Sequence, residues 1–572
     1  MGFKKITEEQ VWMKYYPEEA RNAPLPRCKA FDHVIAENEG RLDSPALHYY
    51  GTDITFRELI RRVDEIAASF TALGVKEGDV VSFLSATLPE TIAAVYALNK
   101  IGAAANTIDP RLDVGSIRRM ITGSGSKILV VVDIAFPKVR PIMSKIRQDK
   151  IVVQSAYTSL HPVKRFFASL STKTDVPYDN DVIDWKHFLR LGRGVEVVES
   201  PYQGDALVAI TYTGGTTGTP KGVMITNDSM NAVAMNFKYC GVYHNDDDRF
   251  LGIIPIFSAY GMVCGMHMPL CLRTTLVPIP RFIPQQIGRL VMQFKPQHLI
   301  STPVFIELLI GSKEVRGKDL SFLYTLASGG DTMNEGLESK LDAFRREHGM
   351  RFPLAQGYGM SELSAAASFC VNEVYKKGSV GVPSLNVTVG IFDPDTGEEM
   401  GYHEKGEVCV TGPTMMKAYF NTPEETAYVM RTHEDGKVWI HSGDVGYMDE
   451  DGFLFILGRI KRMITRFDGH KVFPVNMESL IAQRPDVHNC VVVGVNDRIH
   501  SQGQYPLALV ELMDGVDPSV CREIYRFCHE ELEERGRPVA VLAVDELPLT
   551  PMGKIDIRAL EEQYKRFDYL AW

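Results

Sequence analysis

Apolar positions recur with two different periods along the first half of the chain. Ile54-Thr-Phe-Arg-Glu-Leu-Ile-Arg-Arg-Val-Asp-Glu-Ile66 places them at helical spacing, whereas Asp79–Leu84, Lys127–Asp133 and Ala206–Ile210 are short continuous runs of the kind buried strands show. Glu90–Ala104, rich in small residues, predicts a helix between the first two runs. This alternation predicts parallel α/β layers. Thr158–Gly194 is less regular and reads as a connection. A second α/β set follows, with a strand end at Lys295–Pro303 and a strand entering a glycine turn at Asp319–Gly330. From Gly378 to Tyr447 the pattern changes to short strands and turns such as Asp393-Pro-Asp-Thr-Gly397, which suits a small β-barrel or meander. Thr422-Pro-Glu-Glu425 predicts an N-cap followed by proline in the first helical turn. Beyond Gly458-Arg-Ile-Lys-Arg462 another α/β pattern begins, with strands at Val491–Val495 and Pro506–Glu511 and a helix over Cys521–Glu534. The expected architecture is α/β: residues 1–460 as a large domain of two α/β subdomains plus a small β-barrel, and residues 461–572 as a small α+β domain.

The length of 572 residues fits this division, because single cores stop growing well below that size. A net charge of −10 argues against a nucleic-acid partner, which needs a basic face. The nine cysteines are scattered without a C-x-x-C pair, so the spacing suggests neither a disulfide framework nor a zinc site, and a reducing compartment, the cytoplasm, is the expected location. The opening Met1-Gly-Phe-Lys-Lys-Ile-Thr-Glu-Glu lacks the apolar core of a secretory signal. Leu251–Leu272 carries no charged side chain and is long enough to span a bilayer. Its prolines, its histidine and its mixture of small and aromatic residues predict a buried pocket wall instead.

The chemistry concentrates in Thr211-Tyr-Thr-Gly-Gly-Thr-Thr-Gly-Thr-Pro-Lys-Gly222, which follows the run ending at Ile210. Its glycines let backbone amides approach a ligand, its hydroxyls and amides make an anion-binding concavity, and Lys221 adds a mobile positive charge. The loop is suited to phosphate, yet it is not the nucleotide P-loop, since Lys221 sits between Pro220 and Gly222. Four further segments stand out: Gln356-Gly-Tyr-Gly-Met-Ser-Glu362, His441-Ser-Gly-Asp444, Gly458-Arg459 and Leu549-Thr-Pro-Met-Gly-Lys554. Each alone reads equally well as a turn or a salt-bridged loop.

In this order the segments resemble the superfamily of adenylate-forming enzymes, which includes acyl-CoA synthetases, peptide-synthetase adenylation domains and firefly luciferase. The resemblance covers nearly the whole chain. Trp12-Met-Lys-Tyr-Tyr-Pro17, Ala23-Pro-Leu-Pro26, Ile134-Ala-Phe-Pro-Lys138 and Gly412–Glu424 look most like bacterial long-chain fatty-acid–CoA ligases. The resemblance implies ATP, Mg²⁺ and coenzyme A as cofactors and a carboxylic acid as substrate. Thr213, Gly214, Gly215, Thr216, Thr217 and Gly218 would wrap the β- and γ-phosphates, with Lys221 neutralising charge. Thr213 and Glu362 would hold Mg²⁺, and Tyr358 would lie on the adenine, with Gln356, Gly357, Gly359, Met360 and Ser361 in the same segment. Gly329, Gly330 and Asp331 would line the other side. Asp444 would accept from the ribose hydroxyls, Arg459 would donate to one, and Lys554 would bridge the substrate carboxylate and the α-phosphate. The small domain of the family swings about the position of Lys461, exchanging the lysine loop for Asp468-Gly469-His470-Lys471, where Gly469 would leave room for a thiol.

Two departures bear on substrate. Gly214 stands where much of the superfamily has Ser or Thr, and Ser258 stands where many fatty-acyl and aryl-CoA ligases have histidine. Phe257, Ser258, Tyr260, Gly261 and Gly357 would border the acyl pocket, with Gly261, Gly265 and Gly359 leaving space for a tail. Peptide-synthetase domains place an aspartate at the Ser258 position, so a free amino acid is disfavoured. Transfer to an acyl carrier protein uses the same thiol chemistry as CoA and stays open, as does a homodimer. A basic patch of Lys461, Arg462, Arg466 and Lys471 would suit the CoA 3′-phosphate. A nucleotide sensor without catalysis would need no lysine at the reacting centre.

Overall fold

The computed structural model describes residues 5–161, 163–164, 175–213, 220–548 and 555–572. Two large sheets make up most of the molecule. The first has seven strands in the order Val182–Asp184, Lys150–Gln154, Ile128–Val132, Val80–Leu84, Ala104–Thr107, Leu207–Tyr212, Gly222–Thr226, all parallel except the last. The second has nine, with a parallel centre built from Ala355–Tyr358, Thr325–Ser328, His298–Ser301, Arg249–Gly252, Thr275–Pro278 and Pro45–Tyr49 and antiparallel strands at both edges.

One helix ties the sheets together. Pro89–Lys100 has proline in its first turn and apolar or small residues all round, and every residue from Pro89 to Asn99 is buried. A helix without a polar face can only sit inside a core. Its side chains belong to one continuous apolar cluster that runs from the seven-stranded sheet into the nine-stranded one. By contrast Phe56–Ala72 is amphipathic and lies on the surface, started by Thr55, whose side chain accepts from the Glu58 amide at 3.1 Å.

Several sequence expectations are corrected in detail. The Glu90–Ala104 helix ends at Lys100, and Ala104 already begins a strand. The connection after Thr158 contains the strand Val182–Asp184 and the helix Trp185–Leu191, capped by the Asp184 carboxylate on the His187 amide. The segment after Gly378 forms a five-stranded antiparallel sheet whose ladder stays open, a meander and not a closed barrel. Pro423 begins its helix as expected, but the Thr422 side chain makes no cap bond. The uncharged stretch from Leu251 folds into a strand, then a buried π-helix, Tyr260–His267, continuing as Met268–Cys271. No described helix is long and apolar enough to cross a membrane.

The C-terminal part builds its own sheet from Val487–Asn496, Gln504–Leu512 and Ala540–Val544. Helices Pro474–Ile481 and Cys521–Glu531 cover one face and Ile557–Tyr564 the other, giving two small cores separate from the large one. Among the described residues it meets the large domain at Val475, 3.9 Å from a Cβ placed on Gly458, at Ala482, 3.4 Å from one placed on Gly336, and at Lys471, which pairs with Asp395 at 3.6 Å.

Candidate active site

Parallel strands bring their carboxyl ends to one rim, where open α/β folds bind ligands. A cleft of about 2680 Å³ opens there, bordered by the nine-stranded sheet, the phosphate hairpin, the meander and the small domain. Such a volume exceeds the roughly 300–1,000 Å³ of an ordinary small-molecule pocket, so it has room for more than one substrate.

The phosphate loop is the turn of a hairpin. Leu207–Tyr212 pairs antiparallel with Gly222–Thr226, Tyr212 opposite Gly222, and the Thr213 amide donates to the Lys221 carbonyl at 3.0 Å. Thr213 and Lys221 thus form its neck, and both line the cleft. Gly214, Gly215, Thr216, Thr217 and Gly218 lie outside the described residues, as does Lys554. The hairpin is braced by the segment ending at Phe420, whose amide donates to the Gly222 carbonyl at 2.7 Å, and by the Met224 amide donating to Ala418 at 3.1 Å.

This bracing places Tyr419, a residue the sequence reading gave no role. Its hydroxyl donates to the Glu362 carboxylate, and the Lys221 ammonium lies 4.9 Å from its ring centroid, over its face. One phenol therefore joins the carboxylate proposed for metal to the lysine proposed for phosphate. Lys221 also pairs with Glu425 across the cleft mouth. Glu362 is buried on the turn Ser361–Leu363, and among the described residues no lysine or arginine forms an ion pair with it. A buried carboxylate near the phosphate hairpin, bonded by Tyr419 and with Arg459 acting on it only at a distance, is the kind of donor a hard cation such as Mg²⁺ takes.

A second group gathers on the meander. Asp444 and Arg459 face each other across paired strands, which sets their side chains together. Arg459 Nε donates to Asp444 Oδ1 at 2.9 Å, and the Tyr358 hydroxyl donates to Oδ2 at 2.7 Å. Burial pushes the Asp444 carboxyl above its ordinary range, against the pull of Arg459 and Tyr358.

Beside them, Gln356 Oε1 and Ser328 Oγ, on adjacent strands in register, are buried without a hydrogen-bond partner among the described residues. Unpaired polar atoms at strand ends lining a cleft point to a hydrogen-bonding ligand. Gly329, Gly330 and Asp331 follow Ser328 along the same rim, and Gly357, Met360 and Ser361 border it too. Gly359 is fixed by packing: a Cβ there would lie 1.6 Å from the Ala365 carbonyl oxygen. Gly359→Ala is expected to destabilise the fold by roughly 2–4 kcal/mol through the displaced backbone, read as a lowered melting temperature.

The acyl-pocket expectations divide. Ser258 and Tyr260 line the cleft, and the π-helix adds Cys264 and, beyond it, Met268 and Leu272, with Phe250 and Ile300 opposite. Ser258 spends its hydroxyl locally, donating to the Pro255 carbonyl at 2.9 Å and accepting from the Gly261 amide at 3.1 Å. Phe257 does not line the cleft and lies against the Arg111 guanidinium at 5.2 Å. Gly261 leaves no space for a tail: a Cβ there would meet the Pro255 oxygen at 1.9 Å, so the glycine permits close backbone packing, as Gly359 does.

The hinge residues also divide. Lys461 is exposed on the turn Ile460–Arg462 and borders the cleft, as do Ile555, Asp556 and Arg558 of the small domain. Gly469 and His470 do not border it. Gly469 closes the hairpin between Ile464–Thr465 and Lys471–Val472 with φ +79°, and a Cβ there would meet nothing within 4 Å. In this arrangement its conformation, not steric room for a thiol, calls for glycine. Nor do the four basic residues form one patch. Arg462 pairs with Glu478, Arg466 lies 4.5 Å from the Tyr505 ring centroid, and Lys471 is taken by Asp395.

The family model for AMP-binding enzymes matches residues 35–420, and the model for the AMP-binding enzyme C-terminal domain matches residues 476–554. The chain belongs to the AMP-binding enzyme family. Within that family it is 29% identical to the long-chain-fatty-acid–CoA ligase of Bacillus subtilis (strain 168), over 98% of this chain and 99% of that protein. It is equally 29% identical to 4-coumarate–CoA ligase 3 of Oryza sativa subsp. japonica, over 89% of this chain and 87% of that protein. Among solved structures it superimposes on the anthranilate CoA ligase AuaEII in complex with anthranoyl-AMP with a TM-score of 0.81 at 22% identity, covering 96% of this chain and 99% of that one. AMP-binding enzymes similar to this chain thus include ligases for both aliphatic and aromatic acids, and the family does not fix the acid.

Proposed function

We propose that the protein is an acyl-CoA synthetase that activates an apolar carboxylic acid with ATP to an acyl-adenylate, releasing pyrophosphate, and then passes the acyl group to the thiol of coenzyme A. The observation that carries this reading is the convergence on one cleft of a phosphate hairpin, the buried Glu362 carboxylate held by Tyr419 and the Asp444–Arg459–Tyr358 group, beside an apolar arm. The relatives that are CoA ligases and the solved AMP complex support it.

Thr213 and Lys221 hold the neck of the loop that would embrace the phosphates, and Tyr419 keeps Lys221 and Glu362 beside one another. Mg²⁺ held by Glu362 and Thr213 would neutralise charge on the phosphates. Asp444 would take the ribose hydroxyls, exchanging part of its bonding with Tyr358 and Arg459. Gln356 and Ser328 would supply partners along the adenine and sugar. The acid carboxylate attacks the α-phosphorus, the bond to the bridging oxygen breaks, and the electron pair leaves with pyrophosphate. Positioning and charge stabilisation dominate such a step, and Lys554 is the residue proposed to bridge the carboxylate and the α-phosphate. The thiol, losing its proton, then attacks the acyl carbon and AMP departs. The hinge is placed at Lys461, between the meander and the separately cored small domain, with residues 1–460 and 461–572 as the two moving parts.

The arm bordered by Tyr260, Cys264, Met268 and Leu272 supports an aliphatic or aryl tail. A panel of carboxylic acids screened for acid-dependent AMP release tests the reading, run with CoA and again with a phosphopantetheinyl carrier protein. Aliphatic or aryl acids are expected to give turnover with CoA, and amino acids none. Turnover with the carrier protein alone would redirect the acceptor, and no acid-dependent AMP release from any of them would overturn the proposal.

A further inference from the structure

Away from the cleft, four donor atoms from three segments far apart in sequence converge in the core. His33 comes from the helix Ala30–Glu37, Asn231 from Asn227–Tyr239, and His267 and Cys271 from successive turns of the helix that continues the pocket wall. All four are buried. Cys271 Sγ lies 3.7 Å from His33 Nδ1 and 3.5 Å from His267 Nε2. Asn231 Oδ1 lies 3.2 Å and 3.1 Å from the same two nitrogens. The histidine and cysteine donors all fall within 4.8 Å of one another.

The nitrogen–sulfur separations, 3.5 and 3.7 Å, lie close to the edges of a tetrahedral zinc shell, about 3.3–3.6 Å at usual bond lengths, and the nitrogen–oxygen ones, 3.1 and 3.2 Å, are slightly shorter. The surroundings match as well. The far nitrogen of each histidine meets an oxygen: His33 Nε2 lies 3.6 Å from the Glu37 carboxylate, and His267 Nδ1 lies 3.3 Å from the Tyr96 hydroxyl. Such outer contacts orient imidazoles that bind metal. Asn231 Nδ2 donates to the Cys28 carbonyl at 2.9 Å, which turns its oxygen toward the cluster. One thiolate would offset half of a divalent charge at the ion, and the Glu37 carboxylate, which also pairs with Lys238 at 2.7 Å, lies next to it.

We propose that His33, His267, Cys271 and the Asn231 side-chain oxygen form a structural zinc site. Binding forms two Zn–N bonds, one Zn–S bond and one Zn–O bond; the thiol proton passes to solvent, and each imidazole would bind through an unprotonated nitrogen with its remaining proton on the far nitrogen, toward Glu37 for His33 and Tyr96 for His267. The ion would pin the end of the π-helix to Ala30–Glu37 and Asn227–Tyr239. Because Tyr260, Cys264 and Met268 on that continuous helix face the cleft, it would fix the wall of the proposed acyl pocket. The site does not depend on the proposed reaction.

The test uses the full chain expressed with zinc supplementation, dialysed against a chelator and assayed for bound metal, together with a cobalt-substituted preparation. Stoichiometric zinc that survives dialysis and a thiolate-to-cobalt charge-transfer band are expected. Cys271→Ser should lose the band and most of the zinc. Glu37→Gln, outside the shell and near the surface, should keep the native circular dichroism and bind zinc about 10–100-fold more weakly. A wild-type chain that takes up no metal, or metal held equally well by Cys271→Ser, would show a hydrogen-bonded core cluster instead. Should Cys271→Ser not fold, zinc affinity unchanged in Glu37→Gln overturns the proposal by itself.

Discussion

Alanine in place of Lys554 is expected to lower acid-dependent ATP–pyrophosphate exchange by on the order of 10²–10³-fold or more, while thioester formation from a supplied acyl-adenylate stays within a few-fold of wild type. The residues immediately after it, Ile555 and Asp556, border the cleft that holds Asp444 and Arg459, and the Asp556 side chain caps the helix Ile557–Tyr564 through the Ala559 amide at 3.1 Å. The first described residues after the lysine thus lie at the cleft and lead into a capped helix. On the proposed reading its charge would be needed where negative charge develops on the α-phosphate and would have no counterpart in thiol attack on a carbonyl. Equal loss in both half-reactions would count against two alternating arrangements of the small domain.

Asp444→Asn is expected to raise the KM for ATP about 10–100-fold, the worth of hydrogen bonds to a charged group. The same substitution should leave the melting temperature unchanged or higher at neutral pH. Burial raises the folded-state pKa of this carboxyl above its unfolded value. The fold therefore gives up stability as pH rises from the ordinary carboxylate range through the raised value, and above it the full penalty is present. An amide carries no such penalty. Parallel measurements of ATP dependence and thermal unfolding separate the two effects. An unchanged KM would remove Asp444 from the ribose, and a large drop in melting temperature would make it a structural anchor.

The parts of the fold legible in the sequence are those fixed by local periodicity. The runs at Asp79–Leu84, Lys127–Asp133 and Ala206–Ile210 became strands because short apolar stretches can be satisfied only inside a sheet covered on both faces. The end of the Pro89–Lys100 helix was not legible, since Ile101–Ala104 continues the same small apolar composition and the turn there is set by packing. Asp444 and Arg459 stood out in their motifs as candidates, and the contact between them follows from strand register, which the motifs do not encode. Tyr419 was hidden because its importance comes from the edge pairing of its segment with the phosphate hairpin. Gly261 and Gly359 were misread as space, because a glycine in sequence does not reveal whether it faces a void or another backbone. The histidine–cysteine cluster escaped the cysteine spacing for a similar reason: His33 lies 238 residues before Cys271.

The helix Pro89–Lys100, enclosed from Pro89 to Asn99, leaves the large domain without a seam. Sliding one big sheet over the other would drag that helix out of contact on every side at once. The rearrangement proposed for turnover would therefore fall at the covalent crossing near Lys461, outside that enclosed core. On the proposed reading the stiff lobe would serve as an anvil, and the light one would do the travelling.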